Sequence, residues 1–280
     1  MAEGDTVLRA ARRLEQALGG AEIGIATPSP RGRAAGLERL DGRRLERVEA
    51  RGKNLLLKFG DLVLHSHLGM SGSWHVYRRG APWRKPAGAA WAVLRSEQWE
   101  AVQFGGPTLR VLRAGAVNLD PQMAGLGPGI LARGFDLCEA VASLRGERVR
   151  TYGRYPTISA NWLEVELGEA LLDQSRIAGI GNIFKSEACF AARLDPWRPV
   201  EELSDPELER VLLAARDAMQ AAVADGRHGT PRHQAEREDG RRRAVYRRAG
   251  RPCPVCRTRI AARGQGDANR TTYWCPSCQR

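Results

Sequence analysis

No stretch of this chain approaches the ~20 consecutive apolar residues that a membrane-spanning helix needs, which argues against a helical membrane protein. The opening Met-Ala-Glu-Gly-Asp is acidic and lacks the apolar run of a secretory signal. A soluble, cytoplasmic (nucleoid-associated) monomer is therefore expected. No internal repeat is apparent. Acidic residues are scarce, 32 Asp and Glu against 44 Lys and Arg, and the formal net charge is +12. That balance suits a polyanion such as DNA or RNA. A high-GC genome, rich in Arg, Ala and Gly codons, would give the same numbers, so charge alone leaves the partner open.

Cysteine is sparse as well, six in 280 residues, but four of them are placed informatively. Cys253 and Cys256 form one C-x-x-C knuckle and Cys275 and Cys278 another, with 18 residues between. Paired knuckles flanking a short loop have the spacing of a tetrahedral four-cysteine zinc site. Four thiolates fill the coordination shell, so the single Zn2+ expected is structural and the chemistry must lie elsewhere. Arg259, Arg263 and Arg270 between the knuckles point to an anionic partner. Cys138 and Cys189 are left over, and their apolar neighbours suggest buried, reduced thiols.

Length allows two ordinary domains and a small metal module. Asp5 or Thr6 is suited to cap a first helix with Val7, Ala11, Leu14 and Leu18 on one face and Gly19-Gly20 at its end. From about Ile23 to Leu112 the pattern is short β-rich runs: Asn54 to Phe59 and Leu62 to Ser66 as a hairpin turned at Gly60-Asp61, then Ser73 to Tyr77, Trp91 to Arg95, Ala101 to Phe104 and Leu109 to Leu112. Strands so spaced suggest an antiparallel sandwich or barrel. Beyond Gly125 to Gly129 helices are expected at Glu169 to Ser175, Asn182 to Ala192 and Asp205 to Ala224. The Arg-rich segment Gly226 to Arg251 reads as a mobile linker.

Five short motifs have chemical potential, and each alone has a plainer explanation. Ala2-Glu3-Gly4-Asp5 follows a removable Met1, so Ala2 would carry a free α-amine, of pKa ~7.7–8.0 and partly nucleophilic near neutrality, with Glu3 beside it to move protons. Every protein has an N-terminus, however. Lys53 in Arg51-Gly52-Lys53-Asn54 is suited to phosphate contact or catalysis, or is a solvated turn lysine. In His67-Leu68-Gly69-Met70-Ser71-Gly72 the glycines permit a tight loop; Met70 is either a wedge for a base stack or, from composition, core. Leu171 through Asn182 closes a helix, turns at Gly179 and Gly181 and opens the next helix, with Asn182 as its cap, where backbone N–H groups favour phosphate. Arg270 enters the second knuckle, placed either for phosphate contact or simply on the surface.

Taken together and in this order, the five motifs resemble the formamidopyrimidine-DNA glycosylase and endonuclease VIII family of base-excision repair enzymes, over nearly the whole chain. The resemblance implies an α+β fold in three parts: an N-terminal catalytic antiparallel β-sandwich with a leading helix (residues 1–125), a helix–two-turn–helix DNA-binding domain (126–240), and a zinc β-hairpin module (241–280). It implies damaged double-stranded DNA as partner. It also implies that the N-terminal amine attacks C1′ of a damaged nucleotide, that a Schiff base forms, and that β- and then δ-elimination cut the strand. By position, Ala2 would be the nucleophile, Glu3 the general acid/base, Lys53 an aid to β-elimination and Arg270 an aid to δ-elimination. Asn182 and Arg270 would hold the phosphates flanking an everted nucleotide; His67 lies in the DNA-contacting loop whose Met70 would fill the gap in the stack.

Three departures stand out. The family's usual N-terminal proline is replaced by Ala2, whose imine, unlike a proline iminium, must be protonated to draw electrons. The paired arginines usual before Phe104-Gly105 in enzymes acting on oxidised guanine are Val102-Gln103 here, which favours the endonuclease VIII-like branch and oxidised pyrimidines. The stretch Arg148 to Leu167 is longer than the family's usual, and nothing in the sequence explains it. The leading expectation is thus a DNA glycosylase with abasic-site lyase activity. The alternative is an abasic- or damaged-DNA binding protein of the same fold with weakened catalysis. A zinc-ribbon RNA-binding or transcription-associated protein would leave Glu3, Lys53 and the Asn182 turn unexplained.

Overall fold

The computed structural model describes residues 2–147, 164–225 and 243–280. Among them the chain divides into two units, one running to Ala124 and the other beginning at Gly125.

The first unit opens with α1 (Gly4–Leu18), in which Val7, Ala11, Leu14 and Leu18 recur every three to four residues and are all buried. The cap is Glu3, not Asp5 or Thr6. The Glu3 carbonyl already accepts the Val7 N–H at 3.1 Å, which places Asp5 inside the first turn. There its carboxylate pairs with Arg9 at 3.0 Å. Two four-residue helices, α2 (Pro30–Arg33) and α3 (Pro121–Ala124), are minor elements. Nine strands follow α1: β1 (Glu22–Ala26), β2 (Arg43–Arg44), β3 (Arg47–Arg51), β4 (Asn54–Phe59), β5 (Leu62–His67), β6 (Ser73–Arg78), β7 (Ala90–Arg95), β8 (Trp99–Phe104) and β9 (Thr108–Arg113). They form two antiparallel sheets, ordered β2-β1-β7-β8-β6 and β3-β4-β5-β9, so the expected sandwich with a leading helix is what forms. Leu55, Leu57 and Leu64 of the second sheet share one core with the apolar face of α1.

Strands β1, β2 and β3 escape the sequence reading. Glu22, Arg43, Arg44, Arg47, Glu49 and Arg51 break their apolar alternation, and β2 and β3 are edge strands, where charge is tolerated and discourages further pairing. Both hairpins of the four-stranded sheet close in two residues, Arg51 opposite Asn54 across Gly52-Lys53 and Phe59 opposite Leu62 across Gly60-Asp61. Because Asn54 also lies opposite His67, Lys53, Asn54 and His67 share one end of that sheet.

The second unit contains α4 (Leu137–Arg145), α5 (Leu167–Ala170), α6 (Asn182–Ala192) and α7 (Asp205–Ala224), then β10 (Ala261–Gln265) and β11 (Arg270–Trp274), paired as a hairpin. Helices α6 and α7 have the expected bounds. A Ser204–Glu207 capping box and Pro206 start α7. Leu144, Leu171, Ile177, Ile180, Leu208 and Leu212 are fully buried in one core.

Several expectations fail here. The helix foreseen at Glu169 to Ser175 is only α5; Asp173 takes the Ser175 N–H on its own carboxylate at 2.8 Å, and Gln174 donates to Leu172 O and Ile180 O while accepting the Gly179 N–H. Side chains have replaced the helical ladder with turns. Of the expected linker, residues 226–242 lie outside those described, and the remainder is tied down: the Glu187 carboxylate accepts the N–H groups of Ala244, Val245 and Tyr246 at 2.8–3.0 Å, and Val245 is buried. Cys189 is buried, its thiol pushed up to about 12 by desolvation, but Cys138 is exposed because it falls on the outer side of α4. Residues 148–163 of the long stretch lie outside those described. Among the described residues, no helix is long and apolar enough to cross a membrane.

Candidate functional site

The loop after β5 holds the beginning of the chain. The Ala2 nitrogen donates to Gly69 O at 3.0 Å, and the Gly69 N–H donates to His67 Nδ1 at 3.2 Å. Gly69 has φ +57°, and a Cβ there would lie 2.7 Å from Pro107 Cδ, so both backbone conformation and space require glycine. Desolvation, then the nearby Lys53 charge, holds the His67 pKa below its usual range, which keeps the ring neutral and Nδ1 available as an acceptor. Ala2 and Glu3 are both buried, Glu3 to 2 % exposure. Met70, by contrast, is 69 % exposed. The compositional reading of Met70 as core is therefore wrong: the loop turns it outward between two glycines.

Beneath Lys53 lies a polar chain that the sequence reading missed. Asn54 Oδ1 and His65 Nε2 are 2.9 Å apart, Arg110 Nε donates to His65 Nδ1 at 3.3 Å, and Arg110 pairs with Asp120 at 2.7 Å. His65 is fully buried. Its pKa is pushed down to about 4 by desolvation and then by Arg110, so the ring is neutral; with Nδ1 accepting, Nε2 carries the proton and donates to Asn54. The only sequence signal was alternation, because His65 and His67 occupy positions of the same parity in β5.

Val102 and Gln103 are both fully buried in β8. Gln103 Nε2 donates to Gly105 O within the same turn. Neither side chain is presented at the surface.

In the second unit Gly181, not Asn182, caps α6. Gly181 is extended while Asn182 is already helical, which frees the Asn182 side chain for another role: its Nδ2 donates to Thr271 O of β11 at 2.8 Å. Arg270, the first residue of β11, is exposed and pairs across the hairpin with Gln265. Asn182 and Arg270 are thereby brought together through adjacent residues of one strand.

The four cysteine sulfurs of Cys253, Cys256, Cys275 and Cys278 all lie within 4.8 Å of one another. Cys253 and Cys278 are 3.8 Å apart and Cys256 and Cys275 3.4 Å, near the ~3.8 Å edge of a tetrahedron with ~2.3 Å metal–sulfur bonds. The cluster suits one metal ion. Gln279 anchors it, accepting the Cys275 N–H at 2.8 Å and donating to Leu194 O at 2.9 Å.

Residues 1–106 match the formamidopyrimidine-DNA glycosylase N-terminal domain and residues 159–233 the formamidopyrimidine-DNA glycosylase H2TH domain. The chain is 38% identical over 286 residues to a probable endonuclease 8 of Streptomyces coelicolor, covering 100% of this chain and 94% of that one. It is 33% identical to a DNA-(apurinic or apyrimidinic site) lyase of Mycolicibacterium smegmatis, covering 100% and 99%. A Lactococcus lactis formamidopyrimidine-DNA glycosylase, solved non-covalently bound to abasic-site DNA, shares the fold with a TM-score of 0.78 at 22% identity over the full length of both chains.

Proposed function

Because the chain belongs to the formamidopyrimidine-DNA glycosylase and endonuclease VIII family, with endonuclease VIII-like relatives, we propose that it removes oxidised bases, pyrimidines before purines, from double-stranded DNA and cleaves the resulting abasic site. The observation that carries this reading is the Ala2 nitrogen, anchored 3.0 Å from Gly69 O beside buried Glu3. Once Met1 is removed, that nitrogen is a primary amine. A proton directed at Gly69 O restricts rotation of the amine and confines its lone pair to the two remaining staggered directions, which favours near-attack geometry.

In this scheme the amine bonds to C1′ as the glycosidic bond breaks and the base leaves with a proton. Opening of the sugar ring gives an imine at C1′. Protonation of that imine makes it an electron sink; loss of a C2′ proton expels the 3′ phosphate by β-elimination, and a second elimination expels the 5′ phosphate. Glu3 moves the protons at the amine and sugar. Lys53 aids the first elimination and Arg270 the second. Asn182 and Arg270 hold phosphates, His67 supports the amine-holding loop and contacts DNA, and Met70 enters the stack the damaged nucleotide vacates. Cys253, Cys256, Cys275 and Cys278 would hold one Zn2+, whose part would be structural because four thiolates would complete its coordination.

The buried Val102-Gln103 pair, standing where enzymes acting on oxidised guanine would carry two arginines, supports the pyrimidine preference. The Ala2 primary amine also supports a second reading, a damaged-DNA binding protein with weakened base excision. Duplexes carrying an oxidised pyrimidine, an oxidised guanine or an abasic site separate them. The proposal expects cleavage of the first and third and little of the second; binding of all three without cleavage would favour the second reading.

A further inference from the structure

Lys185 is fully buried, lies one turn beyond Asn182 on α6, and takes no part in the scheme above. Its Nζ donates to Thr272 Oγ1 at 2.5 Å and to Gln265 Oε1 at 3.4 Å. Thr272, itself fully buried, donates its hydroxyl hydrogen bond to Gln265 Oε1 at 2.6 Å. The Gln265 amide nitrogen donates to Glu166 Oε2 at 2.9 Å and to Pro196 O at 2.8 Å. A relay thus runs from a buried ammonium on α6 through both strands of the hairpin to a carboxylate beside α5. The fit is close: a Cβ on Gly168 of α5 would lie 2.2 Å from Gln265 Oε1.

A buried ammonium carries a desolvation penalty that its hydrogen bonds to Thr272 and Gln265 and the nearby Glu169 carboxylate only partly offset. An apolar side chain would hold two elements together without that cost, so general adhesion does not explain a lysine here. What the lysine adds is direction. Asn182 grips Thr271 O and Lys185 grips Thr272 Oγ1, so two residues on one face of α6 fix two consecutive residues of β11, immediately after Arg270. Rotation or sliding of the hairpin along α6 would break both.

We propose that Lys185 is a positioning residue that sets the spacing and orientation of Arg270 relative to Asn182, and so governs the second elimination more than the first. This rests on the roles given above to Asn182 and Arg270. The test uses full-length, zinc-loaded protein with Met1 removed, comparing wild type with Lys185→Met and Thr272→Val, the latter keeping the side-chain shape. Zinc content, affinity for a duplex with a non-cleavable tetrahydrofuran abasic analogue, and the ratio of δ- to β-elimination products are measured. The proposal expects one zinc per chain throughout, affinity weakened by about tenfold, and a δ/β ratio lowered by about tenfold to a hundredfold, the scale of a 1 Å misplacement. In an Arg270→Ala background Lys185→Met lowers δ-elimination no further, because the lysine acts through Arg270.

An unchanged δ/β ratio in both variants overturns the proposal. So does parallel loss of zinc, β- and δ-products, which is what a merely structural lysine would give. If Lys185→Met does not fold, Thr272→Val decides alone. Wild-type protein that neither binds nor cleaves abasic DNA would overturn the functional reading itself, and this one with it; an active wild type with indifferent variants removes only the role of Lys185.

Discussion

At position 2 a primary amine makes the charge of the covalent intermediate conditional on a proton, where proline would make it permanent. Ala2→Pro, with Met1 still removed, is therefore expected to raise the lyase rate by up to about a hundredfold, the low end of what one proton transfer contributes; steady-state cleavage of abasic DNA measures it. His65 gives a second prediction. Its folded pKa of about 4 lies below the ordinary 6.5, so the unfolded chain binds a proton there that the folded chain refuses. The stability tied to neutral His65 is complete above pH 6.5 and is lost progressively as pH falls towards 4. Melting temperatures between pH 8 and 4 should fall less steeply in His65→Gln, and that variant should cost about 1–3 kcal/mol at pH 8 by stranding Asn54 or Arg110. Residue identities at the N-terminus and the knuckles were legible because motifs are local. The Asn54–His65–Arg110–Asp120 chain was not: its members come from β4, β5, β9 and the turn before α3, and only sheet register brings them together.

Elements, not single side chains, hold the candidate groups in place. The loop from His67 to Gly72 anchors Ala2 through one carbonyl, and that carbonyl depends on the positive φ of Gly69. Gly69→Ala should cost about 1–3 kcal/mol in backbone strain and lower covalent capture of abasic DNA by more than it lowers the folded fraction; equal losses would make the loop merely structural. Helices α6 and α7 were readable from their apolar faces; α7 also has a clear start signal in Ser204, Pro206 and Glu207, whereas the cap expected at Asn182 for α6 falls one residue earlier, at Gly181. Strands β1 to β3 were hidden by charged residues that break their alternation, β2 and β3 being edge strands. The foreseen helix at 169–175 was misjudged because Asp173 and Gln174 compete for backbone groups, a contest that composition does not reveal. Likewise, Val245 is buried through a carboxylate on α6 that no local pattern announces.

For the molecule as a whole, the two units have separate cores and carry separate parts of the proposed function: the amine, Glu3 and Lys53 in the first, Asn182, Arg270 and the cysteine cluster in the second. Cys275→Ser or chelation of the metal should therefore weaken binding of abasic duplex by about tenfold or more while leaving the first unit's melting transition in place; calorimetry with a binding titration checks both. Fold class was legible because the motifs run collinearly along the chain, whereas the Lys185 relay between α5, α6 and the hairpin required the coordinates. The central claim is that the Ala2 amine forms the covalent link to DNA. It is tested most directly by borohydride reduction of the mature protein with abasic-site duplex, followed by peptide mapping in a mass spectrometer. The account predicts one adduct, on the Ala2 nitrogen, abolished by Glu3→Gln or by a single added N-terminal residue. Tight binding with no adduct, or an adduct on Lys53 instead, would contradict it.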